Sequence, residues 1–463
     1  MRGTLSQLLP NVAGARMTMD AAFDSVSTDS RSAGPGSLFV ALRGERFDAH
    51  DFLQQVAASG AAAVVAEELP DGFALPALIV PNTLTALGEI ANSWRRQFDI
   101  PVIGVTGSNG KTTVKEMIAS ILAAAHGEDA RLATRGNLNN EIGVPLTLMR
   151  LEASDRAAVV ELGMNHPGEI GRLTKIAAPT IGMVNNAQRE HQEFMHTVEA
   201  VAQENGSVIA GLPADGVAVF PGDDTYTELW RGLAGSRRTI TFGMTDACDV
   251  RCVHRAEEFG SELDVMVVPD GAFTIRLAAA GLHNVRNAMA AIACAEAAGI
   301  GHDAIVLGLE SFAPVAGRLQ RKQAKSGALV IDDTYNANPD SVRAAIDVLA
   351  KAPAPRVLVL GDMGEVGTQG KEFHEEIAAY AAGSGIDAVL VTGELARHMV
   401  DAARPNVRHF EQFDELLAAV DQTLGSKSGS KSDATVLVKG SRFMKMERVV
   451  AHLTGSDQPK DTH

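Results

Sequence analysis

The stretch from Ile100 to Ala125 constrains the fold of this chain more than any other. Ile100-Pro101-Val102-Ile103-Gly104-Val105 is a short apolar run that reads as a buried strand. From Lys111 onward, Val114, Met117, Ile118, Ile121, Leu122 and Ala125 recur at helical spacing. Between strand and helix lies Thr106-Gly107-Ser108-Asn109-Gly110. A strand, a glycine turn and a helix opening on Lys111-Thr112-Thr113 form a cradle for phosphate. Glycines let backbone N–H groups turn inward and approach anionic oxygens closely, and the helix N-terminus adds partial positive charge. Lys111 is placed to reach the outer phosphates, and the Thr112 hydroxyl to ligate Mg²⁺. The strict pattern Gly-x-x-x-x-Gly-Lys-[Ser/Thr] is not met, because Val105 stands at its first glycine and Gly104 comes one residue early. The stretch Gly107, Ser108, Asn109, Gly110, Lys111, Thr112 and Thr113 is read as a nucleotide site, the alternative being an ordinary glycine turn.

A chain of 463 residues is too long for one core, so two or three domains are expected. With 41 Lys and Arg against 57 Asp and Glu, its net charge is -16, which argues against nucleic acid or an anionic membrane as partner. Anionic substrates would have to rely on local clusters of cations and backbone donors. Three cysteines make no disulfide framework, and the lone pair Cys248 and Cys252 reads as two chance thiols, not a zinc site. No window offers a membrane span and the N-terminus lacks a signal-peptide apolar core, so a cytoplasmic protein is expected.

Taken in order, residues 1–82 alternate short apolar runs with helical patterns and read as a small α/β domain. Its polar centre, Thr28-Asp29-Ser30-Arg31, suits a second anionic ligand, or it is a solvated loop. Residues 83–315 form a second domain, with a helix expected over 84–98 and strands that end in polar residues. Glu161 closes one strand, and His191 follows another that ends at Asn185-Asn186. Ligands bind at the carboxyl ends of strands in doubly wound sheets, so both are candidates to join Thr112 at a metal, or are surface polar residues. The run Gly136-Asn137-Leu138-Asn139-Asn140-Glu141-Ile142-Gly143 is either a tight loop or a surface for a substrate rich in amides and hydroxyls. Asn284 and Asn287 lie one turn apart on an alanine-rich helix. Residues 316–463 alternate strand and helix throughout, with Asn338-Pro339 capping and opening a helix. Polar strand ends at Asp332-Asp333, Gly361-Asp362 and Lys439-Gly440 give this third domain a Rossmann-like character. The fold class is therefore α/β, with three domains: a central P-loop-type ATPase domain with a mostly parallel sheet, flanked by the small N-terminal domain and the Rossmann-like C-terminal one.

The loop Gly104 to Thr113 resembles the ATP loop of the Mur ligases, amide-forming enzymes of cytoplasmic peptidoglycan synthesis. The runs from Asn137 to Leu148, Glu161 to Ile170, Asp333 to Ser341, Gly361 to Glu365 and Lys439 to Arg442 are similar to signatures of one branch. That branch joins D-alanyl-D-alanine to UDP-N-acetylmuramoyl-tripeptide, and the resemblance covers all three domains. It implies an N-terminal domain for the UDP-sugar, with Ser30 and Arg31 in the uridine-site segment, a central ATPase and a mobile C-terminal domain. It implies Mg²⁺ held by Thr112, Glu161 and His191, an adenine contact at Asn287, a phosphate contact at Arg318 and a ribose contact at Asp333. Asn139, Asn140, Asn165 and Asn338 fall in the matching segments as substrate contacts, and Lys111, Glu161, His191 and Arg318 as the catalytic set. A monomer is expected. Rivals are ligases of the family that add other residues, folate polyglutamate ligases, and a nucleotide-gated binding protein without activity.

Two departures stand out. The family usually places a lysine, carbamylated to ligate a second magnesium, where this chain has Ala202-Gln203-Glu204-Asn205-Gly206-Ser207-Val208. Either Glu204 or a neighbour takes that role, or the second metal is held differently. Glu141 stands where a histidine is common. Because the expected ATP contacts lie on both sides of Gly317, assembly of the site requires the third domain to close on the second.

Overall fold

The computed structural model describes all residues except 45–46, 191, 258, 401–404, 426–431 and 457–463. Its first sheet is built from β1 (Arg16–Met17), β2 (Ser25–Ser27), β3 (Ser37–Val40), β4 (Ala63–Ala66) and β5 (Ala77–Ile79), in the order β1-β5-β4-β3-β2. Only β1 runs antiparallel to its neighbour. Asn82 then accepts the Thr85 N–H and starts α1 (Thr83–Arg95), whose Leu87, Ile90 and Ala91 are buried. The helix ends at Arg95, short of the expected 98.

The second sheet has nine strands: β6 (Val102–Thr106), β7 (Arg131–Ala133), β8 (Ala157–Glu161), β9 (Ile181–Val184), β10 (Val217–Pro221), β11 (Arg238–Gly243), β12 (Val250–Glu257), β13 (Gly260–Val267) and β14 (Gly271–Leu277). The order is β14-β13-β12-β11-β10-β9-β6-β8-β7, parallel except for β13, which runs antiparallel to both of its neighbours. Every residue of β6 and β8 is buried, as expected of central strands covered on both faces. Successive side chains of β6 alternate between two cores. Val102 packs with α1 and the first sheet, while Ile103 and Val105 pack with α2 (Lys111–His126) and α5 (Leu282–Ala297). A Cβ on Gly104 would lie 3.3 Å from Leu162, Pro179 and Val208, so this glycine answers to packing and is not part of the phosphate turn.

The helix over His302–Glu310 lies against α2 through Gly308, where an added Cβ would come 2.5 Å from the Ile121 Cα. That neighbour is backbone and cannot swing aside. Gly308→Ala is therefore expected to cost about 1–3 kcal/mol of stability. Thermal unfolding of the variant checks this, and an unchanged midpoint would contradict it.

The third sheet takes β15 (Gln320–Gln323), β16 (Leu329–Asp333), β17 (Arg356–Leu360), β18 (Ala388–Thr392), β19 (Val407–Phe410) and β20 (Thr435–Lys439) in the order β15-β16-β20-β17-β18-β19. Only β15 is antiparallel. Between strands run α6 (Pro339–Leu349) and α7 (Gly370–Gly383), which with other helices cover the sheet. Asn338 and Ser341 form a reciprocal capping box at the start of α6, with Pro339 in the first turn. The second and third sheets meet along a seam that includes Arg321 stacked 3.8 Å from the Phe259 ring centroid.

Candidate active site

The carboxyl ends of β6, β8, β9 and β10 face those of β16 and β20 across a cleft of about 780 Å³. Gly107 and Gly110 take φ values of +138° and +81°, so both need the freedom of glycine. A Cβ on Gly110 would sit 2.4 Å from Asn287 Oδ1 and 2.6 Å from Asn185 Nδ2.

The loop is held in shape by amides from the segment after β9. Asn186 accepts the Ser108 and Asn109 N–H groups through its carbonyl and side-chain oxygens, at 3.1 and 2.9 Å. Asn185 and Asn186 each donate from Nδ2 to the Asn109 carbonyl, at 2.7 and 2.9 Å. Gln188 receives the Asn109 side-chain N–H at 2.6 Å and donates its own N–H to Ser108 Oγ at 2.9 Å. Asn185 also donates to Asn287 Oδ1 at 2.9 Å, which ties α5 to the loop.

Lys111 Nζ donates to the carbonyls of Gly107 and Ser108, at 2.6 and 3.2 Å, and lies 3.6 Å from Glu190. The Thr112 hydroxyl donates to Glu161 Oε2 at 2.9 Å and accepts from Arg318 Nη2 at 2.8 Å. The other Glu161 oxygen accepts from Asn139 Nδ2 at 2.9 Å, and the residue is only 2% exposed. Arg318 stacks 4.1 Å from the Tyr335 ring centroid. It is flanked by two left-handed residues, Gly317 at φ +71° and Leu319 at +51°. The Leu319 N–H donates to Asp333 Oδ1 at 3.1 Å, and Asp333 Oδ2 accepts from Lys439 Nζ at 2.6 Å. Across the seam, Asn338 Nδ2 donates to Asn109 Oδ1 at 2.9 Å.

Ser108 to Thr113, Asn139, Asn140, Glu161, Asn165, Asn287, Arg318, Asp333 and Asn338 thus line one cleft, with Gly107 at its base in the same loop. Ser30 and Arg31 do not line it. They lie in the first unit, where Arg31 is paired with Asp29 at 2.7 Å and holds that carboxyl down to about 2. His191 lies outside the described residues. Glu204 is not placed to replace a carbamylated lysine: its carboxylate accepts the Gly168 and Ile170 N–H groups, both at 2.8 Å, at the start of α3 (Glu169–Ala177). Asn205 accepts the Thr106 hydroxyl at 2.8 Å, and Glu141 pairs with Arg172 at 2.6 Å. Cys248 and Cys252 are buried free thiols, and burial pushes Cys252 up to about 11. Among the described residues no group of three or more His, Cys, Asp or Glu is placed to hold a metal, and no helix is long and apolar enough to cross a membrane.

Sequence reasoning overlooked Gln188, Glu190 and Tyr335. The first two follow the strand that ends at Val184, so their place beyond a strand's carboxyl end was the available signal.

The family description "Mur ligase middle domain" matches residues 105–295, "Mur ligase, glutamate ligase domain" matches 317–442, and "Mur ligase family, catalytic domain" matches 22–95. The UDP-N-acetylmuramoyl-tripeptide–D-alanyl-D-alanine ligase of Escherichia coli (strain K12) is 39% identical over 456 residues, spanning 97% of this chain and 98% of the relative. The chain belongs to the Mur ligase family. Among solved structures, MurF from Acinetobacter baumannii superposes on this Mur ligase with a TM-score of 0.91 at 34% identity, covering 97% of this chain and 98% of the other. The MurF ligase of Thermotoga maritima, solved in complex with ADP, gives 0.83 at 27% identity, covering 93% and 97%.

For this Mur ligase, the lysines of the cleft yield a direct expectation. The lysines lining the cleft are Lys111 and Lys439, and both are bonded to carbonyl or carboxylate oxygens. Activity should therefore be indifferent to added bicarbonate. A rate that climbs with bicarbonate, or a carbamylated lysine found by mass spectrometry, would contradict this.

Proposed function

We propose that the chain joins D-alanyl-D-alanine to UDP-N-acetylmuramoyl-tripeptide, with ATP converted to ADP and phosphate, as a cytoplasmic monomer in peptidoglycan precursor synthesis. The observation that carries this reading is the Thr112 hydroxyl, shared by Glu161 of the second unit and Arg318 of the third. A hydroxyl at the start of α2 and a cation from beyond Gly317 meet there, which supports the reading of a phosphate loop completed by the third domain.

In this reading residues 1–82 hold the UDP-sugar, with Ser30 and Arg31 in its uridine site. Residues 83–315 hold ATP, and 316–463 bring in the dipeptide. Asn139, Asn140, Asn165 and Asn338 supply amide donors and acceptors to the peptide groups. Thr112 and Glu161 offer a hydroxyl and a carboxylate as hard oxygen donors, a set that suits Mg²⁺, with His191 as a further ligand. Mg²⁺ there would offset the negative charge of the phosphates.

The acceptor carboxylate is a poor electrophile until it is phosphorylated. Its oxygen attacks the γ-phosphorus of ATP, ADP leaves, and an acyl phosphate remains. The dipeptide amine then attacks the carbonyl carbon, and phosphate departs from the tetrahedral intermediate with formation of the amide. Lys111 would exchange its loop carbonyls for phosphate oxygens, and Arg318 would face the transferred group. The protein's contribution is alignment and charge neutralisation in a site closed to water. Asn287 would contact adenine, and Asp333 the ribose.

A phosphate-release assay with a panel of amino acids and dipeptides, joined to mass analysis of the product, tests this. Phosphate is expected only when UDP-N-acetylmuramoyl-tripeptide and D-alanyl-D-alanine are both present, with one amide formed per phosphate. Release with a single amino acid in place of the dipeptide would assign a different member of the family. Nucleotide binding without turnover would leave a binding protein.

A further inference from the structure

Arg189 lies between β9 and α4 (Gln192–Met195), in the same segment whose Asn185, Asn186 and Gln188 hold the phosphate loop. Its side chain points away from that loop, across the seam. The guanidinium donates to Asp340 Oδ1 at 2.6 Å through Nη2 and to Glu376 Oε2 at 2.7 Å through Nη1, and its backbone N–H donates to Asp340 Oδ2 at 2.9 Å. Asp340 opens α6, and Glu376 lies midway along α7. Phe373 of α7 presents its ring 5.3 Å below the guanidinium, and Arg343 of α6 donates to Glu376 Oε1 at 2.9 Å. One planar donor group therefore joins two helices of the third unit, a geometry that a lysine ammonium does not reproduce.

We infer that Arg189 is a positioning residue through which the seating of the third domain sets the shape of the phosphate loop. The mechanical link is short. Seating α6 and α7 fixes Arg189, Arg189 fixes the segment 185–190, and that segment holds Ser108 through backbone groups and Asn109 through the side chains of Asn185, Asn186 and Gln188. Glu190, next in the chain, stands 3.6 Å from Lys111. When the third domain swings away, the segment 185–190 loses its anchor to α6 and α7. The catalytic part of this inference rests on the ligase reading above; the mechanical part does not.

The test uses full-length Arg189→Ala, Arg189→Lys and Asp340→Ala proteins and the double variant. Arg189→Ala is expected to lower kcat about 10²-fold, as a misplacement on the ångström scale does, with KM for ATP changed by less than about threefold. Arg189→Lys should recover little of the loss. Asp340→Ala should add almost nothing to Arg189→Ala, because both remove one connection. Small-angle scattering should show a larger radius of gyration for Arg189→Ala than for the parent protein. Unchanged kcat, fully additive losses or an unchanged radius of gyration would each overturn the inference. If Arg189→Ala does not fold, Arg189→Lys and Asp340→Ala carry the same comparison. If the parent protein makes no amide, the ligase reading fails, and the scattering comparison alone decides the mechanical claim.

Discussion

Replacing Lys111 with alanine is expected to reduce kcat by about 10²–10³-fold while the protein remains folded. Lys111 Nζ sits on the carbonyls of Gly107 and Ser108, at the mouth of the loop and at the N-terminus of α2. Its ammonium and the Arg318 guanidinium are the side-chain cations that our reading sets against the phosphate groups. The chain as a whole is anionic and gives no help from a distance. The side chain is bonded to the two loop carbonyls and lies near Glu190, so thermal stability should change far less than turnover. Steady-state phosphate release and a melting curve measure both quantities. Near-parental turnover in a folded Lys111→Ala protein would remove the phosphate-cradle reading altogether.

Arg318→Ala should be at least as damaging, by about 10³-fold in kcat, the scale seen when a mobile arginine that stabilises a transferring phosphoryl group is lost. The structure gives the reason in three contacts. The guanidinium bonds Thr112 Oγ1 at 2.8 Å, it stacks on Tyr335, and its backbone is set by the left-handed Gly317 and Leu319. Lysine keeps the charge but neither the planar stacking nor the reach, so Arg318→Lys should fall near alanine. Nucleotide affinity should drop far less than kcat, since the other cleft contacts of the second unit are intact. Parallel measurement of ADP binding by calorimetry and of turnover separates the two effects. Equal losses in both would make Arg318 a simple binding residue.

The phosphate loop, Glu161, Asn287 and the capped start of α6 were all legible in the sequence, because each depends on local spacing: a strand, a turn residue, a helix cap. Residues whose role depends on distant partners were not. Arg189 binds Asp340 and Glu376, which lie 151 and 187 positions away, and nothing in Asn185-Asn186-Ala187-Gln188-Arg189-Glu190 announces either. Glu204 is the opposite case. Its position beside the family's usual lysine drew attention to the metal, yet two N–H groups at the start of α3 claim its carboxylate. A carboxylate near a site is still governed first by the nearest unsatisfied donors. Gly104 teaches the same lesson. It stands beside the glycine pattern but is small because Leu162, Pro179 and Val208 leave no space.

The seam contacts of Arg318 with Thr112 and of Asn338 with Asn109 lie directly over the nucleotide loop. Swinging the third domain away from the second breaks both contacts, so a cycle that opens the cleft includes their rupture. Such a gate makes the pace of the enzyme a matter of opening as much as of bond making. Evolution or engineering that welded this seam more tightly would raise the melting temperature and slow the turnover together. Selection for speed would keep the joint between the two domains weaker than the cores on either side of it.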